Sequence, residues 1–214
     1  MVKVSLAELR KGLLDRMALA MPRYGFKEKP TGQSFHRSLP FGRWSFHVAF
    51  INHETDLDVT ADVAVRVDAV EEMVHSGSKL LSDREKQQTA TIGAELGNIA
   101  DHRQKRWKIA SQGDVENVAA AILEEFEKFG LPYLERYSDL EKMLDALSQN
   151  DPAAWLHSPV HSERCKRAVA SALVLGKTDR ASELRRRCEE FLEQRGDPGL
   201  QSFKEFASRL LGTR

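Results

Sequence analysis

The stretch RWSFHVAFINHETDLDVTADVAVRV, residues 43–67, decides the fold class. Trp44, Phe46, Val48 and Phe50 alternate with Ser45, His47 and Ala49. After a turn at Glu54-Thr-Asp56, Leu57, Val59, Ala61, Val63, Val65 and Val67 share one face, and Asp58, Thr60, Asp62 and Arg66 share the other. Successive side chains of a strand point to opposite faces, so each run has one apolar and one polar side. That pattern belongs to an antiparallel sheet with one face packed and one face wet.

Upstream, Phe26–Lys29 and Ser34–Leu39 read as two strands separated by the turn signal Pro30-Thr-Gly32, and Pro40-Phe-Gly42 leads into the next. Downstream, a short helix near Ala69–His75 precedes two strands, Thr89–Ile99 and Arg106–Ser111, for about six strands in a meander. Two helices are expected to cover the apolar face. The first opens at the capping box Ser5-Leu-Ala-Glu8 and ends near Gly25; the second opens at Asp114 and ends at Gly130. From Ser138 onward every segment reads as helix, with starts at Ser138-Asp-Leu-Glu141, Ser158-Pro159, Asp179 and the Ser202–Glu205 box. The expected architecture is α+β: an antiparallel sheet domain over residues 1–137 and a helical bundle over 138–214.

Lys and Arg together number 32, as do Asp and Glu, and hydrophobic residues make up 41%. This is the composition of a folded chain, and the charge balance disfavours a nucleic-acid partner, which needs a basic excess. No apolar run reaches the roughly 18 residues of a membrane span. The first 16 residues carry Lys3, Glu8, Arg10, Lys11 and Asp15 where a signal peptide needs an uncharged core. The expected location is therefore the cytoplasm, with no membrane association. Cys165 and Cys188 lack the spacing of a zinc site. If residues 164–194 form a helical hairpin turning at Gly176-Lys177, the two cysteines stand at equal distance from the turn, and both are expected to be reduced and buried.

Six segments in order, Tyr24-Gly-Phe-Lys27, Phe35-His-Arg37, Asp62-Val-Ala-Val-Arg66, Ile92-Gly-Ala-Glu-Leu-Gly97, Trp107 and Leu131-Pro132, resemble a bacterial domain-of-unknown-function family with a helix–sheet–helix layout. Some of its members are suspected immunity proteins that act beside toxins. The resemblance covers about residues 1–137 and supplies no active-site residue. Gly176, Ala181 and Cys188 resemble the turn glycine and small residues of a single tetratricopeptide hairpin; no second copy follows, so a repeat array is not expected.

Strand alternation puts His36, Arg43, His47, Asp62 and Arg66 on the polar side of the sheet, where they could line a cup for an anionic ligand. Thr91, Gly93, Glu95 and Gly97 share a face of a later strand, with glycines that admit close approach. The plainer reading is a solvated face with cross-strand ion pairs, and it has the larger weight. A metal reading through His47, His53 and Asp58 or Glu54 fails on reach, because His47 and His53 stand ~20 Å apart along a straight strand. The basic run His102–Lys108 reads as a charged turn with Trp107 entering the core, rather than a phosphate loop. No nucleophile elbow, P-loop, zinc-protease or dinucleotide-binding motif is present. The reading therefore names no catalytic residue, metal or cofactor. It expects a non-catalytic protein-binding or regulatory module with a protein partner. A small-ligand binder or enzyme using the polar face is the alternative, and a nucleic-acid-associated protein ranks third.

Overall fold

Ser5 caps the first helix, α1 (Leu6–Ala20), as its spacing from Glu8 requires. The Ser5 amide donates to the Glu8 carboxylate at 2.8 Å and the Glu8 amide donates back to the Ser5 hydroxyl at 3.2 Å, satisfying two amides that a first turn leaves without partners. Leu9, Leu13 and Met17 form its buried stripe. A 3-10 turn over Met21–Tyr24 closes on Gly25 at φ 80°, a left-handed conformation that favours glycine. The computed structural model describes residues 4–29, 33–77 and 81–212; the Pro30-Thr-Gly32 turn lies outside the described residues.

The chain continues through β1 (Lys27–Glu28), β2 (Ser34–Leu39), β3 (Gly42–Asn52), β4 (Leu57–Val67), α2 (Asp68–His75), α3 (Asp83–Gln88), β5 (Ile92–Glu95), α4 (Leu96–Asp101) and β6 (Trp107–Ile109). Helices α5 (Gln112–Glu125), α6 (Leu131–Tyr137), α7 (Leu140–Leu147), α8 (Pro152–His157), α9 (His161–Val174), α10 (Thr178–Gln194) and α11 (Leu200–Leu211) complete it. The fold is α+β with an open antiparallel sheet of about six strands. Strand order is β1-β2-β3-β4-β5, with β6 paired to β4. Contacts divide the chain into two compact units, Met1–Ala64 with Ala94–Glu135 and Val65–Gly93 with Arg136–Arg214. Residues 65–93 thus group with the C-terminal helices, where the sequence alone suggested a boundary at 137/138.

In the first unit the apolar face of β3 is the core. Trp44, Phe46 and Val48 are buried, and Phe46 stands opposite Phe35 in the β2–β3 ladder. The Phe126 ring packs edge-on against Phe46 (centroids 5.1 Å apart), Phe26 (5.8 Å) and Tyr24 (5.1 Å). Phe50, expected in this core, is only half-buried, near the exposed end of β3, with the Arg10 guanidinium 5.5 Å from its ring. The second helix does not stop at Gly130. It passes through a π turn, Phe126–Gly130, into α6. A side chain at Gly130 would come within 2.9 Å of Phe126 and 3.0 Å of Leu96, so glycine there serves packing.

The strand expected over Thr89–Ile99 is shorter. It ends at Glu95 and the chain turns into α4, where a Cβ on Gly97 would meet Lys105 Cβ at 2.5 Å and the Arg103 carbonyl at 2.7 Å. Gly97 therefore admits the chain's own backbone, not a ligand. Besides α4 and α6, two further helices went unread in the sequence: α3, capped by a Ser82–Glu85 box, and α8, which takes Pro152 as its first residue behind the Asp151 cap. Asp139, not Ser138, caps α7, and α9 begins at His161, two residues after the expected proline start. The last helix starts at Leu200, ahead of the Ser202–Glu205 box.

In the second unit α9 and α10 form the expected hairpin, turning through Gly176 at φ 73°. Cys165 and Cys188 are buried free thiols. Their mutual hydrogen bond and burial push the Cys165 thiol up. A fully buried Arg164 donates to the Leu147 carbonyl at 2.9 Å, to the Gln149 carbonyl and to Asn150 Oδ1 at 2.9 Å, meeting the carbonyls that the end of α7 leaves free.

Replacing Phe46 with Ala removes the ring on which Phe35 and Phe126 pack and should cost about 3–5 kcal/mol in urea unfolding; a loss under about 0.5 kcal/mol, typical of surface positions, would place Phe46 outside the core. Thiol titration of the native chain should show almost no reaction, and denaturation should release both thiols; fast native labelling of either one would contradict their burial.

Candidate functional site

The β2–β3 ladder sets Ser34 opposite His47, His36 opposite Ser45 and Ser38 opposite Arg43. His36, Arg43 and His47 therefore lie on one face of adjacent strands, all half-buried. The His47 Nδ1 sits 3.3 Å from the Gln33 carbonyl and 3.5 Å from the Ser34 hydroxyl. Burial, then Lys29, Arg43 and His47, hold the His36 imidazole down at about 4. Asp62 borders the same face: burial pushes its carboxyl up, His47 opposes this and Glu95 adds to it. Arg66 is committed elsewhere. Nearly buried, in the second unit, it donates from Nε to Asp68 at 2.6 Å and from Nη1 to the carbonyls of Lys86 (2.8 Å) and Thr89 (3.1 Å) and the Thr89 hydroxyl (2.7 Å). Of the five residues assigned to the face, four belong to the first unit and Arg66 serves the loop between α2 and β5.

His47 and His53 do not share partners. His53 turns to Asp58, Nε2 to Oδ2 at 3.1 Å, and the hairpin brings Asp56 alongside, with ligand atoms of His53, Asp56 and Asp58 all within 4.8 Å of one another. Lys108 lies 3.2 Å from Asp56 and Arg106 lies 3.5 Å from Asp58, so strand β6 already supplies these carboxylates with counter-charge. The basic run is thereby largely neutralised. Lys105 pairs with Glu125, and Trp107 is buried with the Lys105 ammonium 5.4 Å from its ring. Arg185, Arg186 and Arg187 likewise make i,i+4 ion pairs with Glu189, Glu190 and Glu183.

Sequence reasoning missed a groove in the second unit. It has a volume of about 1020 Å³ and lies among α2, α9 and α11, lined by Val74, Pro159, Val160 and Phe206 with Lys166 and Arg209 among the polar groups. Behind its wall Glu71 is fully buried. Arg167 grips it with two hydrogen bonds, Nε to Oε1 at 2.9 Å and Nη2 to Oε2 at 3.1 Å. His75 Nε2 lies 3.3 Å from Glu71 Oε2 and 3.3 Å from the Thr89 hydroxyl. Burial alone would push the Glu71 carboxyl up; the His75 hydrogen bond and the Arg167 guanidinium more than reverse that and hold it at about 2. Lys166 donates to Glu163 at 2.7 Å and to the Ser202 hydroxyl at 2.9 Å. The only sequence signal for Glu71 and Arg167 is two charged residues inside otherwise ordinary helices.

Comparison with protein-family models, with curated proteins and with solved structures finds no match for this chain. No helix among the described residues is long and apolar enough to cross a membrane.

The buried pair sets a pH dependence. Glu71 has its folded value depressed from 4.5 to about 2, so its contribution is fully present above about pH 4.5 and fades as pH falls toward 2, amounting to about 3 kcal/mol. In urea unfolding, Glu71→Gln should remove that acid-limb dependence. Arg167→Met alone should cost about 3–5 kcal/mol by leaving a buried charge unmatched, and the double change Glu71→Leu with Arg167→Met should recover most of it. Equal losses in the single and double variants would show that the pair is not a unit.

Proposed function

We propose that this protein is a non-catalytic binding module whose partner is another protein, with the groove among α2, α9 and α11 as the receiving surface. The resemblance of residues 1–137 to a family with suspected immunity proteins makes a toxin-neutralising or similar regulatory role the specific form of the proposal. The observation that carries it is the groove itself: an open cleft of about 1020 Å³ with apolar Val74, Pro159, Val160 and Phe206 in its wall and Val160 58% exposed on its rim. Large apolar side chains left open beside a cleft are what partner surfaces offer. The charged groups in its wall support binding over catalysis. Arg167 is occupied by Glu71, and Lys166 by Glu163 and Ser202, so neither is free to serve as an acid, base or nucleophile.

The fitting partner segment is an amphipathic helix or strand that buries an apolar edge against Val160 and Phe206 and presents a carboxylate to Arg209. Calorimetric titration with an amphipathic helical peptide that carries a carboxylate beside its apolar edge should give saturable binding. Val160→Asp should weaken it at least about tenfold, as expected for an apolar anchor at an interface, while the far-ultraviolet circular dichroism stays unchanged. Binding that is indifferent to Val160→Asp and to Phe206→Ala would remove the groove from the proposal.

A further inference from the structure

The polar face of β1–β3 gathers basic groups from three adjacent strands. Lys27 stands directly opposite His36, and the ladder continues with Lys29 opposite Ser34, whose carbonyl accepts the Lys29 amide at 2.8 Å. Across the next strand pair His36 lies diagonal to both Arg43 and His47. Directly opposed side chains have Cβ atoms about 5 Å apart and diagonal ones about 7–8 Å apart, so Lys29, His36, Arg43 and His47 gather on one face with Lys27 beside His36 at its edge. The charged groups acting on His36 are Lys29, Arg43 and His47, all of one sign. Lys29 is itself held down by burial and by Arg43. Asp62 and Glu95 meet the cluster only at its His47 edge, and alternation along β1 sends Glu28 to the opposite face. Among the described residues neither Lys27 nor Lys29 has a carboxylate partner.

Like charges opposed across a ladder destabilise it. Elsewhere the chain avoids this: the basic run on β6 and the arginines of α10 are met by carboxylates. We infer that the face formed by Lys27, Lys29, His36 and Arg43 binds a tetrahedral oxyanion of the phosphate class. Three serine hydroxyls, Ser34, Ser38 and Ser45, alternate with the basic groups on the same face, and several separate donors around one point suit an anion with three strong acceptor oxygens. A planar carboxylate is served by a single guanidinium fork. The compactness of the cluster and the zero net charge of the chain argue against an extended polyanion, which needs a broad basic field.

The test is a nuclear magnetic resonance titration of the full chain near neutral pH with sodium sulfate, which stays a dianion throughout, against sodium chloride at matched ionic strength. Sulfate should produce saturable shifts confined to β1–β3 and the His36 ring, and chloride should not. An anion beside His36 favours the imidazolium, so sulfate should raise the His36 value from about 4 by about one unit, and affinity should grow as pH falls through that range. Lys27→Ala with Lys29→Ala, both away from the core, should weaken sulfate binding about tenfold without lowering the thermal midpoint. Adenosine monophosphate binding tighter than sulfate at the same residues would assign the oxyanion to a nucleotide; equal binding would assign the bare ion. Identical shifts with chloride, or sulfate affinity unaffected by removing both lysines, would overturn the inference. Because the groove lies in the other unit, failure here leaves the protein-partner proposal standing.

Discussion

A carboxylate with no exposed surface cannot stay ionised unless other segments bring it charge and donors, and Glu71 imposes that condition on the whole second unit. Arg167 from α9 meets it with two hydrogen bonds, and His75 and Thr89 close the remaining side. The consequence is topological. The excursion from Val65 to Gly93 cannot be treated as a loop of the sheet, because its helix α2 is bonded to the C-terminal helices through a charge that is costly to expose or to leave alone. Arg66 extends the same logic by holding the carbonyls of Lys86 and Thr89, which fixes the path between α3 and β5.

The first unit depends on shape rather than charge. Phe126 sits where α5 gives way to a π turn, and its ring fills the space among Tyr24, Phe26 and Phe46. The wider turn re-aims the helix, and Gly130 leaves room for Leu96 and Val63 beside Phe126. π turns of this kind occur where a regular helix would place a side chain wrongly. Here the aromatic cluster accounts for it without a ligand.

The two candidate surfaces are opposite in character. In the groove's wall Arg167 is matched by Glu71 and Lys166 by Glu163, and the opening beside them is apolar at Val160 and Phe206, which suits a protein segment. The face of β1–β3 is hydrophilic and gathers basic groups from three adjacent strands, which suits a small anion.

Much of this was legible in the sequence because period and punctuation are local. Alternation over 43–67 set the sheet and its faces, the Ser5–Glu8 box set the start of α1, and the equal spacing of Cys165 and Cys188 from the Gly176-Lys177 turn placed two thiols together across a hairpin. The polar-face residues His36, Arg43 and His47 followed from the same alternation. What the sequence could not determine rests on contacts between distant positions. Gly97 and Gly130 read as a strand glycine and a helix stop, yet their absent side chains answer to Lys105, Arg103, Leu96 and Phe126. Arg66 alternates onto the polar face but bends to carbonyls about 20 residues away. Glu71 and Arg167, separated by 96 positions, carry no local signature, since a charged residue on a helix looks the same whether it meets water or a buried partner. Only the packing of α2 on α9 turns that pair into the constraint that decides which segments belong together.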